Sequence, residues 1–114
     1  MTKEINNTEF TQEEIAELEE RVLKLSKTYN FEGEEINTVD LSGLDNVSAN
    51  QMIQAQKMIT RSGNLTGLLE TNIEYLLILA SFASGRPIEF FKQLNAKDVV
   101  KVKNRVTGFF FSEE

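Results

Sequence analysis

The sequence reads as an α+β protein, mostly α, with an N-terminal helix and a β-hairpin followed by a compact bundle of about four helices. Three observations carry this. Helix-start signals recur along the chain, one stretch alternates apolar and polar residues around Glu32-Gly33, and Gly85 with Pro87 punctuates the last third as one helix end and the next helix start. At 114 residues a single domain spanning 1–114 is expected, with a core that is real but thin.

Residues 1–9 are polar and read as a disordered end. An acidic helix is expected over 10–22. Thr11 is its N-cap, Glu14 closes a capping box, and Phe10 can staple to Ile15. Ile15, Leu18, Val22 and Leu25 follow at three- and four-residue spacing, while Glu13, Glu14, Glu17, Glu19 and Glu20 keep the other faces in water.

Near Arg21 the period changes. Leu23, Leu25, Tyr29 and Phe31 alternate with polar residues, which predicts a hairpin over 23–41, roughly Leu23–Phe31 against Glu35–Leu41. Alternatively the first helix runs on through Leu25, and periodicity leaves that boundary open.

A helical core is expected over 48–111. Ser48 with Gln51 opens a helix that Gly63 should end, with Val47 stapled to Met52. Gly63–Leu69 reads as a loop, and Thr71 with Glu74 repeats the start signal. The helix from about Asn72 to Ser84 is apolar nearly all round, so it should lie at the centre. Met52, Ile53, Ile59 and Ala55 are expected to pack on it, with Ile88 and Phe91 of a short Pro87–Leu94 helix. Asn95 caps the last helix, with Asp98 at its third position, and Val99, Val102 and Val106 form its inner face.

Composition narrows the function. The chain has no cysteine and no histidine, which removes disulfides, thiolate nucleophiles, Cys/His zinc sites and imidazole acid–base chemistry. Glu13-Glu14 and Glu34-Glu35 are adjacent pairs that diverge on a helix or strand, and Gly63-Asn-Leu-Thr-Gly67 lacks phosphate-loop spacing. No catalytic residue, metal or cofactor is expected, and the chain reads as a non-enzyme.

The net charge of −6 is uneven, with twelve acidic against four basic residues in 1–45 and six against eight in 46–114. An acidic total weighs against nucleic acid as a partner, despite the basic cluster Lys97, Lys101, Lys103 and Arg105. The longest apolar segment, Tyr75 to Ala83, is far shorter than the roughly 18 residues of a membrane helix. A cytosolic protein without membrane contact is expected.

Phe109-Phe110-Phe111 stands apart, because three consecutive aromatics cannot all face one core. Either the final turn folds back and buries two of them, or they form a self-association or client surface. Phe90-Phe91 poses the same question more weakly, with Phe91 in the core and Phe90 at the periphery. Phe90, Phe109, Phe110 and Phe111 are thus the candidate partner-binding residues, and Ile15, Leu18 and Val22 the candidates for self-association.

Four motifs occur in order: Phe31-Glu-Gly33, Asp40-Leu-Ser-Gly-Leu44, Ala80-Ser-Phe-Ala-Ser-Gly-Arg-Pro87, and Leu94-Asn-Ala-Lys-Asp98 followed by Phe109–Phe111. Over about Leu23 to Phe111 this order and spacing resembles the small tail assembly chaperones of tailed bacteriophages and prophages. The resemblance implies a protein that binds the long tape measure protein, prevents its aggregation and promotes tail tube assembly. It further implies the major tail tube protein as a second partner, a place in the host bacterial cytoplasm and absence from the mature virion. In many such systems a ribosomal frameshift makes a longer second product, a property that codons and not residues carry. Two other classes fit the residues: a small helical dimeric adaptor or regulator using the stripe Ile15, Leu18, Val22 and Leu25, and a structural tail component retained in the virion.

Overall fold

The computed structural model describes residues 11–13, 22–63 and 68–111. The expected N-terminal helix, with Ile15 and Leu18, lies outside the described residues except for Thr11–Glu13 and Val22. The polar stretch 1–9 and residues 64–67 of the expected loop are also outside them. What is described is an α+β fold: an antiparallel hairpin of β1 (Val22–Phe31) and β2 (Glu34–Asp40), then α1 (Ala49–Arg61), α2 (Ile73–Ser84), α3 (Ile88–Lys92) and α4 (Ala96–Phe111).

The hairpin turns through Glu32 at φ 52° and Gly33 at φ 84°, the two left-handed positions that let a two-residue turn match the twist of its strands. Its register pairs Phe31 with Glu34 and Val22 with Asp40, but Leu25, Ser26, Lys27 and Thr28 stand opposite Asn37 alone between the Lys24–Thr38 and Tyr29–Ile36 pairs. Such a bulge bends a strand and re-aims its side chains. Leu23, Leu25 and Tyr29 are buried on β1, and Ile36 and Val39 on β2.

Val22 is therefore not on a helical stripe. It is the first residue of β1 and 43% exposed, while Leu25 is a buried strand residue. The correction has a local cause: once the chain pairs with β2, side chains alternate in twos, and three- and four-residue spacing no longer places Val22 and Leu25 together.

Asp40-Leu-Ser-Gly-Leu44 forms a tight 3₁₀ connection over Ser42–Asn46. The Asp40 carboxyl is held below the usual carboxylate range by the Ser42 hydroxyl and then by the Ser42 amide, which donates to it at 2.9 Å, and Leu41 and Leu44 enter the core. Gly43 lies directly on the end of α2. A Cβ there would run into the Ala83 carbonyl oxygen and sit 3.0 Å from its carbon. Gly43→Ala is expected to destabilise by about 2–3 kcal/mol through forced backbone movement. Denaturant unfolding would measure this, and a change under about 0.5 kcal/mol would show that the two segments do not touch as described.

α1 begins with a complete capping box: the Ser48 hydroxyl accepts from the Gln51 amide at 3.1 Å, and the Gln51 side chain accepts from the Ser48 amide at 3.0 Å. Ala55 and Ile59 are buried and Met52 and Met58 half-buried against the core. Ile53, expected inside, is 50% exposed. One residue corresponds to about 100° of helix, and the buried line through Met52, Ala55 and Ile59 leaves Ile53 facing away.

α2 is central. Tyr75 through Ala80 are six consecutive buried residues, as an all-round apolar helix requires. Its cap is Asn72 rather than Thr71. The Asn72 side chain accepts from the Tyr75 amide at 3.0 Å, whereas Thr71 turns its hydroxyl back to the Leu68 carbonyl. A short 3₁₀ turn over Leu69–Thr71 carries the chain one residue further before the helix begins. Gly85 closes α2 in the left-handed conformation at φ 76°, its amide bonded to the Ser81 carbonyl at 3.0 Å. Arg86 then grips Glu34 at 2.9 and 3.1 Å, tying the hairpin turn to the connection between α2 and α3. This forked pair lowers the Glu34 carboxyl, but both groups are solvent-accessible and the contribution to stability is small.

Phe90, expected at the periphery, is fully buried together with Phe91. Its ring takes edge-on contacts from Tyr29 at 6.2 Å, Phe31 at 5.7 Å and Phe91 at 5.3 Å. The hairpin supplies the cover that a reading of α3 alone could not foresee. Two adjacent aromatics on a short helix can both be inside when a sheet lies on one side and a helix on the other.

Candidate functional site

The last helix, α4, carries the remaining candidate residues. Its first turn is locked to the bulge of β1. Asn95 caps it, the side-chain oxygen accepting from the Asp98 amide at 2.9 Å. Asp98 does not return the bond as a capping box would. Its carboxylate is fully buried and reaches across to β1, accepting from the Ser26 amide at 2.9 Å, the Ser26 hydroxyl at 2.9 Å and the Tyr29 hydroxyl at 2.6 Å. The Tyr29 oxygen in turn accepts from the Asn95 amide at 3.0 Å, filling the place the Asp98 carboxylate left.

Burial would raise the Asp98 carboxyl, yet bonds from Tyr29 and Ser26, with the Lys101 ammonium at 4.0 Å, hold it below the usual carboxylate range. Tyr29 moves the other way. Burial and the carboxylate it faces raise its hydroxyl, against the opposing donation from Asn95. Every oxygen in this cluster is engaged within the protein, so the network is an anchor for α4 and not an acid–base device.

From there α4 runs for 16 residues. Val102 and Val106 are fully buried and Val99 half-buried on its inner side. Lys101 adds a second tie to the strand, its ammonium donating to the Lys24 carbonyl at 3.2 Å. The helix then outruns the body that covers it. Phe109 continues the inner line of Val102 and Val106 by helical spacing, yet is 48% exposed. Phe110 is half-buried and packs on the core, and Phe111 is 40% exposed on the far side. The Phe109 and Phe110 rings meet edge-on at 4.9 Å, and Phe110 and Phe111 lie 6.1 Å apart.

Of the four candidate partner-binding residues, Phe109 and Phe111 are displayed, Phe110 anchors them, and Phe90 belongs to the core. Sequence reasoning missed Asp98 as a tertiary anchor. The polar run Ser26-Lys27-Thr28 inside an otherwise alternating strand is the signal that could have located the bulge receiving it.

Elsewhere, a shallow cleft on the outer face of α1 is lined by Ile53, Gln56, Lys57, Thr60 and Arg61, with no converging acid–base or nucleophilic groups. Among the described residues no cluster of carboxylates could hold a metal ion, and no helix is long and apolar enough to cross a membrane. Comparison with family models, curated proteins and solved structures finds no match to this chain.

Proposed function

We propose that the chain is a phage tail assembly chaperone, a non-catalytic binding protein that holds the tape measure protein soluble and promotes assembly of the tail tube around it. The observation that carries this reading is the tip of α4. Phe109 and Phe111 are held in water on a helix whose other end is bolted to the hairpin through Asp98. Large aromatics kept exposed on a rigid element are the anchors that protein interfaces favour. The four motifs that carry the family resemblance support the same reading through their roles in the fold: the hairpin turn, the 3₁₀ connection against Ala83, the Gly85 helix end and the Asn95 cap.

The tape measure protein is the expected client and the major tail tube protein a second partner. The host cytoplasm is the expected place of action, with the chaperone leaving before the virion is complete. The dimeric adaptor reading is weaker, since the stripe it needs ends in Val22 and Leu25, which are strand residues.

The test is co-expression with the long coiled-coil-rich protein encoded just downstream, comparing wild type with Phe109→Ser/Phe111→Ser. Phe110 is left in place because it packs on the core. Wild type should raise the soluble yield of the client and co-purify with it, and the folded double variant should lose most of both. No effect of wild type would sink the chaperone reading. Recovery of the chain in purified particles would favour the structural tail component.

A further inference from the structure

The side of α4 turned away from Val102 and Val106 carries a second line of residues, apolar at its two ends, Val100 and Phe111. Val100, Asn104, Thr107 and Phe111 follow one another at four, three and four residues, the spacing of a coiled-coil seam. Val102 and Val106 face the opposite way and are fully buried, so this seam points out of the fold. Val100 is 49% exposed and Phe111 40%; of the two polar residues between them Asn104 is exposed, while Thr107 is half-buried, its hydroxyl buried without a hydrogen-bond partner. From Val100 to Phe111 the line is about 17 Å long, roughly three turns.

Two of the residues beside the seam are basic. Lys101 and Lys103 fall at the two flanking positions, where coiled coils place the charges that choose a partner. Lys101 donates to the Lys24 carbonyl yet keeps 38% of its side chain in solvent. With Lys97 and Arg105 the helix has four basic residues, and its one acidic residue, Asp98, is buried inside. Gly108 sits at the next flanking position, where a Cβ would meet nothing within 4 Å. A glycine there weakens the helix relative to alanine without any internal need for it, and leaves room for another backbone to come close.

We propose that the outward seam of α4 docks a single amphipathic helix of a partner protein, one whose apolar heptad stripe is flanked by glutamate or aspartate. Charge complementarity selects this occupant. A second copy of α4 would set lysine against lysine along both flanks, which coiled-coil pairing disfavours. The proposal rests on reading the chain as a client-binding protein and adds the secondary structure, polarity and docking line of the client segment.

The experiment titrates the full chain with two synthetic peptides of about three heptads, both with leucine along the seam, one with glutamate and one with lysine at the flanking positions. Fluorescence anisotropy is read at low and high salt. The glutamate peptide should bind at least about ten-fold tighter, and the preference should shrink as salt rises. Val100→Glu should remove at least about ten-fold of that affinity with the melting temperature unchanged. Gly108→Ala should raise the melting temperature while weakening binding. Equal binding of the two peptides, no binding, or indifference to Val100→Glu would overturn the proposal, as would a dimer in sedimentation equilibrium that Val100→Glu dissociates. If the glutamate peptide binds but the coiled-coil-rich client does not co-purify, the seam stands and the chaperone reading falls. If the client still co-purifies with Val100→Glu, the client reading stands and the seam falls.

Discussion

Phe90→Ala is expected to remove about 3–5 kcal/mol of stability, enough to leave a domain of ordinary stability largely unfolded. The side chain is fully buried and stands where three other rings converge, so its loss deletes apolar burial, edge-on aromatic contacts from two elements and the packing between them. Collapse around the void is restricted, because Phe31 and Tyr29 are held by the hairpin and Phe91 by α3. Phe109→Ala, on the same chemistry, should change stability by less than about 1 kcal/mol, since that ring is half in water. Urea unfolding of the two variants measures the contrast. A small loss at Phe90 with impaired client binding would return that residue to the surface role the sequence assigned it.

Asp98→Ala is expected to cost on the order of 3 kcal/mol, because the Ser26 amide, the Ser26 hydroxyl and the Tyr29 hydroxyl all lose their acceptor at once. The melting temperature should fall by roughly 10–20 °C. Asp98→Asn tests the charge separately, since an amide offers one acceptor oxygen where the carboxylate offers two and turns a donor toward other donors.

The pH dependence has a definite sign. The folded carboxyl sits below its unfolded value of about 3.9, so the unfolded chain binds the proton more readily and the anchor's contribution is complete above that value. It is lost as pH falls through the folded value. The stability gap between wild type and Asp98→Asn should therefore be widest near neutrality and narrow below about pH 4. Glu34 and Asp40 are also lowered and acidify alongside it, so the gap between the two proteins is the informative quantity. A gap that stays constant down to strong acid would mean that Asp98 is not held as an anion by Ser26 and Tyr29.

Both predictions concern residues whose roles differ from their local patterns. Asp98 at the third position after Asn95 has the form of a capping box, and half of the box is made. The other half is taken by Tyr29, because a buried carboxylate gains more from three donors on the strand than from one amide in its own turn. Phe90 looked peripheral because its neighbours in sequence cannot surround it; the rings that do are about 60 residues away.

The local features were written in short stretches of chain. Ser48 and Gln51 make their box, Gly85 takes its left-handed turn, Glu32-Gly33 reverses the hairpin, and Tyr75 to Ala80 are buried on every side. Each depends on groups within a few residues or on a composition with one outcome, so propensity and periodicity suffice. The bulge opposite Asn37, the exposure of Ile53, the burial of Phe90 and the projection of Phe109 beyond its cover were not available at that range. They follow from how far each element extends past its neighbours and which distant polar group each donor meets. Those quantities exist only once the hairpin and α4 have been brought together, because desolvation and packing act on surfaces that the chain assembles from remote segments.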